Sequence, residues 1–346
     1  MRNIPYKICV TFLCFIFLFS PIIVLNTNTH GLAETYKTIS KAECVMEQKS
    51  RRILYASNAD TRLPMASTTK ILTAITILEN CDDIDKIIEI PTKAVGVEGS
   101  SVYLKIGDKY SIRDLLYGLM LRSGNDCATA LALNNSHSID SFAYKMNLTA
   151  QKAGALNSNF KNPHGLPCKE HYTTAKDLSA ITCYAMNNVI FREIVSTKYY
   201  EPYNWKNKNK ILSLYDYGIG VKTGFTKEAG RCLVSAATKN DMTLICSVLG
   251  CPTTYERSIN LLEDAFSLYK NTKLIEKNQV FSLDNKKVYV KDDFSYPLLE
   301  EEKPFISVKL HKSLNNLTQA KKDAIVGKFE IFLFKQLLFS GNLYIL

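Results

Sequence analysis

Ser67-Thr68-Thr69-Lys70 places a hydroxyl and an amine three positions apart. On a helix that spacing puts both side chains on one face, within reach of each other. A serine hydroxyl attacks a carbonyl only when a base takes its proton, and a lysine amine can be that base only if burial or a nearby cation lowers its pKa. The chemistry on offer is acyl transfer through a serine ester. Taken alone the spacing is common, since Ser158 and Lys161 repeat it. Two further patterns add groups such chemistry needs. Ser123-Gly124-Asn125 offers a hydroxyl to relay a proton and an amide to hold a carbonyl, although Ser-x-Asn recurs at Ser258, Ser313 and Ser340 and by itself reads as a turn. Lys222-Thr223-Gly224 occurs once. Its lysine brings positive charge, its threonine hydroxyl can bind a carboxylate, and its glycine lets another backbone come close.

The elements around these residues place them consistently. A hairpin is expected over Ala42 to Ser57, with a polar turn through Lys49 to Arg51. Ile71, Leu72, Ile75 and Leu78 recur at helix spacing, so Ser67 is expected at a helix N-terminus. Ser111 and Asp114 read as a capping box for a helix ending near Arg122, and Asp126 restarts a helix through Ala132. Ser123-Gly124-Asn125 is then a short interhelical connection. Further helices are expected from Ile139 to Gly154 and, capped by Thr174 with Asp177, through Ala185. Strands follow at Ile219–Thr223, Arg231–Ala237 and Met242–Leu249, the last two joined at Asn240-Asp241, with a helix from Glu256 to Tyr269 packed on them. This is an α+β arrangement: an antiparallel sheet with helices between its first and last strands. From about Leu274 short strands, including Lys287–Val290, Ile306–Leu310, Phe329–Leu333 and Leu337–Leu346, read as a small β domain.

The three patterns, in this order and in these settings, resemble the D-alanyl-D-alanine carboxypeptidase family of low-molecular-mass penicillin-binding proteins. Leu63 to Lys70, Glu98-Gly99-Ser100-Ser101, Asp114 to Asn125, Asn162-Pro163-His164-Gly165-Leu166, His171 to Ala175 and Val221 to Leu233 are all similar to that family's blocks, and Val326-Gly327-Lys328-Phe329-Glu330 to its C-terminal β domain. The resemblance implies a β-lactamase/transpeptidase-like domain over residues 34–272 and a β-rich domain over 273–346. It also implies the roles. Ser67 would attack the carbonyl of the penultimate D-alanine of a peptidoglycan stem pentapeptide, with Lys70 as base. Ser123 and Lys222 would pass the proton to the leaving D-alanine. The amides of Ser67 and Phe225 would form the oxyanion hole beside Gly224, Asn125 would orient the peptide, and Thr223 would bind its terminal carboxylate. No metal or cofactor is called for. β-Lactam antibiotics would acylate Ser67. Arg257 is the candidate for an arginine on the substrate carboxylate, in a stretch, Pro252 to Phe266, that reads shorter than its family counterpart. His164 reads as a structural residue of a tight turn, and Cys127 as a buried thiol near the site.

Composition bounds the rest. Apolar residues make up 46% and charged residues 22% of 346, ordinary globular values that exclude a disordered chain. Arg2 and Lys7, the uncharged run Ile8 to Leu25 and Gly31-Leu32-Ala33 together read as an export signal over residues 1–33. The run is long for a signal, so retention as a membrane anchor is the alternative. Cleavage would remove two basic residues and no acid, leaving a formal charge of +8 from +10. That excess is spread along the chain, which argues against a nucleic-acid partner. Cys9 and Cys14 fall in the signal; the other eight cysteines show no metal-ligand spacing and are expected mostly as buried free thiols. The strand pattern up to Leu346 leads one to expect no basic amphipathic helix after the β domain, so membrane attachment is expected only if the N-terminal segment is retained. A class A β-lactamase shares the three patterns but needs a glutamate to activate the deacylating water, and Glu170 and Glu193, which lie between Asn125 and Lys222 with Glu201, are not in a matching context. A non-catalytic peptidoglycan-binding protein is the other alternative.

Overall fold

Two apolar arms around a polar turn form the expected hairpin, β1 (Ala42–Glu47) and β2 (Ile53–Ser57), in a computed structural model that describes residues 40–313 and 321–346. The export signal expected over 1–33 lies outside those residues. After β2 a 3-10 turn, Ala66–Thr69, leads into α1 (Lys70–Glu79). Ser67 therefore sits one tight turn before the α-helix, not at its first residue. The local cause is Ala66, whose φ of 51° is left-handed and bends the chain just ahead of the serine.

β3 (Ile87–Glu89) pairs with β4 (Lys109–Ser111), and the Ser111–Asp114 capping box starts α2 (Ile112–Tyr117) as expected. α2 runs into a π-helical turn, Gly118–Arg122, which ends on Ser123 at φ 64°. Then come α3 (Asn125–Asn135), α4 (Ile139–Lys152), α5 (Ala175–Ala185) and α6 (Val189–Ser196). Thr174 caps α5 by accepting from the Asp177 amide, and Gly154 leaves α4 at φ 81°. The short pair β5 (Tyr199–Tyr200) and β6 (Trp205–Lys206) and the single turn α7 (Ile211–Leu214) precede β7 (Gly218–Thr226), β8 (Gly230–Lys239), β9 (Met242–Leu249) and α8 (Thr254–Leu268).

The five strands lie in the order β2-β1-β9-β8-β7, all antiparallel neighbours. Both faces of this sheet are covered. Along β9, Leu244, Cys246 and Val248 pack with Leu261, Leu262 and Phe266 of α8, while Ile245 and Leu249 face the opposite cluster that holds α1 and α5. This is why the central strands read as unbroken apolar runs rather than as alternating ones. One charged pair crosses the α8 face: Arg257 Nε and Nη2 donate to the two oxygens of Glu43 at 2.7 and 2.8 Å, and Tyr55 and Ser40 also bond that carboxylate. The guanidinium is 8% exposed and its partner carboxylate fully buried. Arg257, the sequence candidate for a substrate arginine, is thus engaged in the core.

The C-terminal strands are β10 (Lys270–Ile275), β11 (Val280–Leu283), β12 (Lys286–Tyr289), β13 (Phe294–Leu298), β14 (Ile306–Lys312), β15 (Ile325–Leu333) and β16 (Gln336–Ile345). β10 pairs with β13, and the rest form a sheet ordered β11-β12-β16-β15-β14 around Val288, Val326, Ile331 and Leu343. Arg52, from the β1–β2 hairpin, ties this unit to the larger sheet: it donates to Pro297 O at 2.6 Å, pairs with Glu302, and stacks 5.1 and 5.2 Å from the rings of Tyr269 and Tyr296. All eight cysteines among the described residues are free thiols; Cys168 is exposed, Cys81 half-buried and the rest buried.

Candidate active site

The 3-10 turn, the α2–α3 junction and β7 converge on one cleft of about 400 Å³, lined among others by Ser67, Ser123, Thr223, Gly224 and Phe225. Lys70 and Asn125 lie directly behind Ser67, and Lys222 is buried in β7. The structure therefore brings together every residue the three patterns offered. Ser158 and Lys161 are not part of it: the Ser158 hydroxyl bonds Thr173 and Asp177 instead.

Lys70 is fully buried, with Nζ 2.9 Å from Ser67 Oγ, 2.7 Å from Asn125 Oδ1 and 2.6 Å from His164 O. A neutral amine has two N–H bonds and one lone pair. Asn125 and His164 offer only acceptors, so they take the two hydrogens and leave the lone pair facing the serine hydroxyl. The Asn125 amide cannot flip without loss, because its Nδ2 donates to Glu98 O at 2.5 Å. Burial, and next the charge of Lys222, hold the Lys70 amine well below its ordinary pKa. Burial, with the charge of Lys208, brings Lys222 down to about 7. A charge on Lys222 thus disfavours a proton on Lys70.

His164 contributes its carbonyl, not its ring. The imidazole is held neutral, its pKa lowered to about 3 by burial and by Lys70, so the structural reading of this residue fits. His171 supports the nucleophile turn: its Nδ1 accepts from Lys161 N at 3.0 Å, which makes Nε2 the donor to Thr69 Oγ1 at 3.0 Å. The close approach beneath Ser67 needs glycine. A Cβ on Gly165, at φ 89°, would lie 1.9 Å from Ala66 O, and one on Gly224 would lie 2.9 Å from Met65 O and 3.1 Å from Ser67 N. β7 thus runs against the nucleophile's own backbone.

Several residues of the site lie outside the three patterns. Asp126 accepts from Ser101 Oγ at 2.5 Å and from the amides of Val102 and Leu104 at 3.0 and 3.2 Å, pinning the loop after Glu98 to the start of α3. Lys208, Lys210 and Arg231 line the cleft and give it positive charge. The run Lys206-Asn207-Lys208-Asn209-Lys210 was the available signal for the first two. Cys127 packs behind Gly118 and Gly124, where added Cβ atoms would meet its sulfur at 2.7 and 2.9 Å, and burial pushes its thiol well above the ordinary pKa.

The sequence profile of the D-alanyl-D-alanine carboxypeptidase family matches residues 29–253. The chain belongs to this family. D-alanyl-D-alanine carboxypeptidase DacF of Bacillus subtilis (strain 168) is 31% identical over 309 residues, covering 84% of this chain and 76% of the relative. The D-alanyl-D-alanine carboxypeptidase of Streptomyces sp. (strain K15) is 39% identical over 219 residues, covering 57% and 75%. Penicillin binding protein 5 from Haemophilus influenzae superposes with a TM-score of 0.75 at 26% identity, over 90% of this chain and 98% of that one. As a member of this carboxypeptidase family the chain is a serine peptidase with the α+β fold expected of it.

A pH prediction follows from the lysine pair. With Lys70 as the base that the three patterns lead one to expect, its neutral form is the active one, so kcat/KM should fall on acidification as the amine takes up its proton. In Lys222→Gln the cation that depresses Lys70 is gone, its pKa rises, and the acid limb should move to higher pH. Penicillin acylation rates from pH 5 to pH 10 check this; an acid limb that stays in place or moves to lower pH contradicts it.

Proposed function

We propose that the enzyme removes the terminal D-alanine from peptidoglycan stem pentapeptides through an acyl-enzyme on Ser67. The observation that carries this is the environment of Lys70, whose two acceptors, Asn125 Oδ1 and His164 O, leave its lone pair for the Ser67 hydroxyl 2.9 Å away. Lys70 takes that proton as Ser67 Oγ attacks the carbonyl of the penultimate D-alanine. The amides of Ser67 and Phe225 hold the resulting oxyanion, an interaction whose loss costs about 3–4 kcal/mol in comparable enzymes. Ser123, whose hydroxyl is engaged by no other group among the described residues, and Lys222 return a proton to the leaving amine. Asn125 orients the peptide through its remaining N–H. Thr223, with the charge of Lys208, Lys210 and Arg231 around it, takes the terminal carboxylate. Water then releases the shortened peptide.

A β-lactam presents the same carbonyl and carboxylate, but the amine freed when its ring opens stays tethered to the acyl group and in the site, so water reaches the Ser67 ester slowly and the adduct persists. Slow deacylation is supported by the glutamates. Glu193, on α6, accepts from the Tyr117 hydroxyl of α2, and neither it nor Glu170 nor Glu201 lines the Ser67 cleft. The substrate lies outside the cytoplasm, in keeping with an export signal over residues 1–33, and among the described residues no helix is long and apolar enough to cross a membrane. The catalytic domain is assigned to 34–272 and the β-rich domain to 273–346.

Mass spectrometry of the protein after mixing with a pentapeptide and with penicillin tests the reading. Released D-alanine and an adduct on Ser67 persisting for minutes are expected. Penicillin turnover within seconds would make it a β-lactamase, and no D-alanine with no adduct would make it a binding protein.

A further inference from the structure

Two segments hold Lys70: the nucleophile turn Ala66–Thr69, which leads into it, and the loop Asn162–Leu166, whose His164 carbonyl accepts from its Nζ at 2.6 Å. The loop is stiff in itself. Asn162 Oδ1 accepts from Gly165 N at 2.7 Å, and Asn162 Nδ2 donates to Leu166 O at 3.0 Å. Its seat against the turn therefore decides where the His164 carbonyl points. Two side chains set that seat. Thr73, one helical turn beyond Thr69, donates to Pro163 O at 2.7 Å. His171 makes the second tie.

Lys161 N, at the start of the loop, donates to His171 Nδ1 at 3.0 Å, which puts the ring hydrogen on Nε2 and makes that nitrogen the donor to Thr69 Oγ1, also at 3.0 Å. Thr69 Oγ1 then donates to Ala66 O at 2.9 Å. These are three hydrogen bonds in series, each donor pointing the same way, from the loop to the carbonyl of the left-handed residue before Ser67. The ring is buried and fixed: Tyr172 exchanges backbone hydrogen bonds with Asn159 at 3.0 and 2.9 Å, and the Phe160 ring stands edge-on 5.8 Å away. Burial lowers its pKa to about 4, so Nδ1 is free to accept. A buried histidine could satisfy its nitrogens on any nearby carbonyl or amide. This one uses both between the two segments that hold Lys70.

We infer that His171 is a positioning residue for acylation: by bridging Lys161 and Thr69 it sets the spacing of loop and turn, keeping His164 O on Lys70 and the Lys70 lone pair on Ser67. The inference rests on the acyl-enzyme reading above. His171 touches no reacting atom, so its loss should slow the chemical step without weakening substrate binding in the cationic cleft.

The test measures D-alanine release and penicillin acylation by the full chain and three variants. His171→Gln keeps a donor for Thr69 but offers nothing to Lys161 N, His171→Asn does the reverse, and Thr69→Val breaks the series from the other side. Each should lower kcat about tenfold to 10²-fold with KM within about threefold, while penicillin still labels one Ser67 per chain. Because all three act through one series of bonds, His171→Gln combined with Thr69→Val should lose no more than the worse single variant. A kcat within twofold of the unaltered protein, or a loss carried by KM, overturns the inference. Should one variant misfold, shown by labelling well below one per chain, the others decide; low labelling in all three makes the tie a folding element and also overturns it. An unaltered protein that takes up penicillin but releases no D-alanine overturns the carboxypeptidase reading instead, and acylation rates then carry the comparison.

Discussion

Ser67→Ala should lower kcat/KM for D-alanine release by about 10⁴-fold or more, and no penicillin adduct should form. The loss should be chemical and not structural. The hydrogen bonds that shape the nucleophile turn come from its neighbours, Thr68 Oγ1 to Met65 O at 2.7 Å and Thr69 Oγ1 to Ala66 O at 2.9 Å. The thermal midpoint should therefore stay close to that of the unaltered protein. Release assays and melting curves on the two proteins decide it; activity within tenfold of the original would remove Ser67 from the mechanism.

Gly165→Ala should be the most damaging substitution outside the reacting groups. Its added methyl would stand 1.9 Å from Ala66 O and 2.4 Å from Ala66 C, both backbone atoms of the turn that holds Ser67, so no side chain can rotate away. Relief requires the turn or the Asn162–Leu166 loop to move. A displacement of about 1 Å at a nucleophile costs about 10²-fold in rate, and overpacking about 1–3 kcal/mol in stability. Gly96→Ala is the matched control: it shares a positive φ, 76°, but has nothing within 4 Å, so only the conformational cost remains, about 1–2 kcal/mol. Penicillin acylation should fall about 10²-fold in the first variant and stay near normal in the second. Equal acylation in both would mean that the approach beneath Ser67 is not what positions it.

These two sites differ in how far they could be read from the sequence. Ser67, Lys70, Ser123, Asn125, Lys222 and Thr223 were legible because their spacing is local and their order is specific in combination. The helices and central strands were legible too, through the Ser111–Asp114 box, the Thr174 cap and the turn at Asn240 and Asp241, which take φ of 50° and 58°. What escaped depends on contacts between distant segments. Nothing near Ala66 announces its left-handed backbone, which is set by the approach of Gly165 nearly a hundred residues away. The carbonyl of His164 carries no side-chain signature. Arg257 was weighed as a substrate group because its type fits that role, while its partner, Glu43, is distant in sequence on β1. The pairing of β10 with β13 and the short β5–β6 ribbon involve segments too brief for periodicity to register.

The π-helical turn at Gly118–Arg122 has a consequence for how this fold can vary. It holds one residue more than an α-helical turn would, and each residue on a helix advances the side-chain direction by about 100°. The extra residue is thus a phase shift, placed just before Ser123. Lineages that drop or add one amino acid in this stretch would swing the serine hydroxyl away from the cleft while leaving α2 and α3 intact. Length, more than residue type, is what heredity must preserve here: a single-codon deletion would do what few point substitutions in the same helix could.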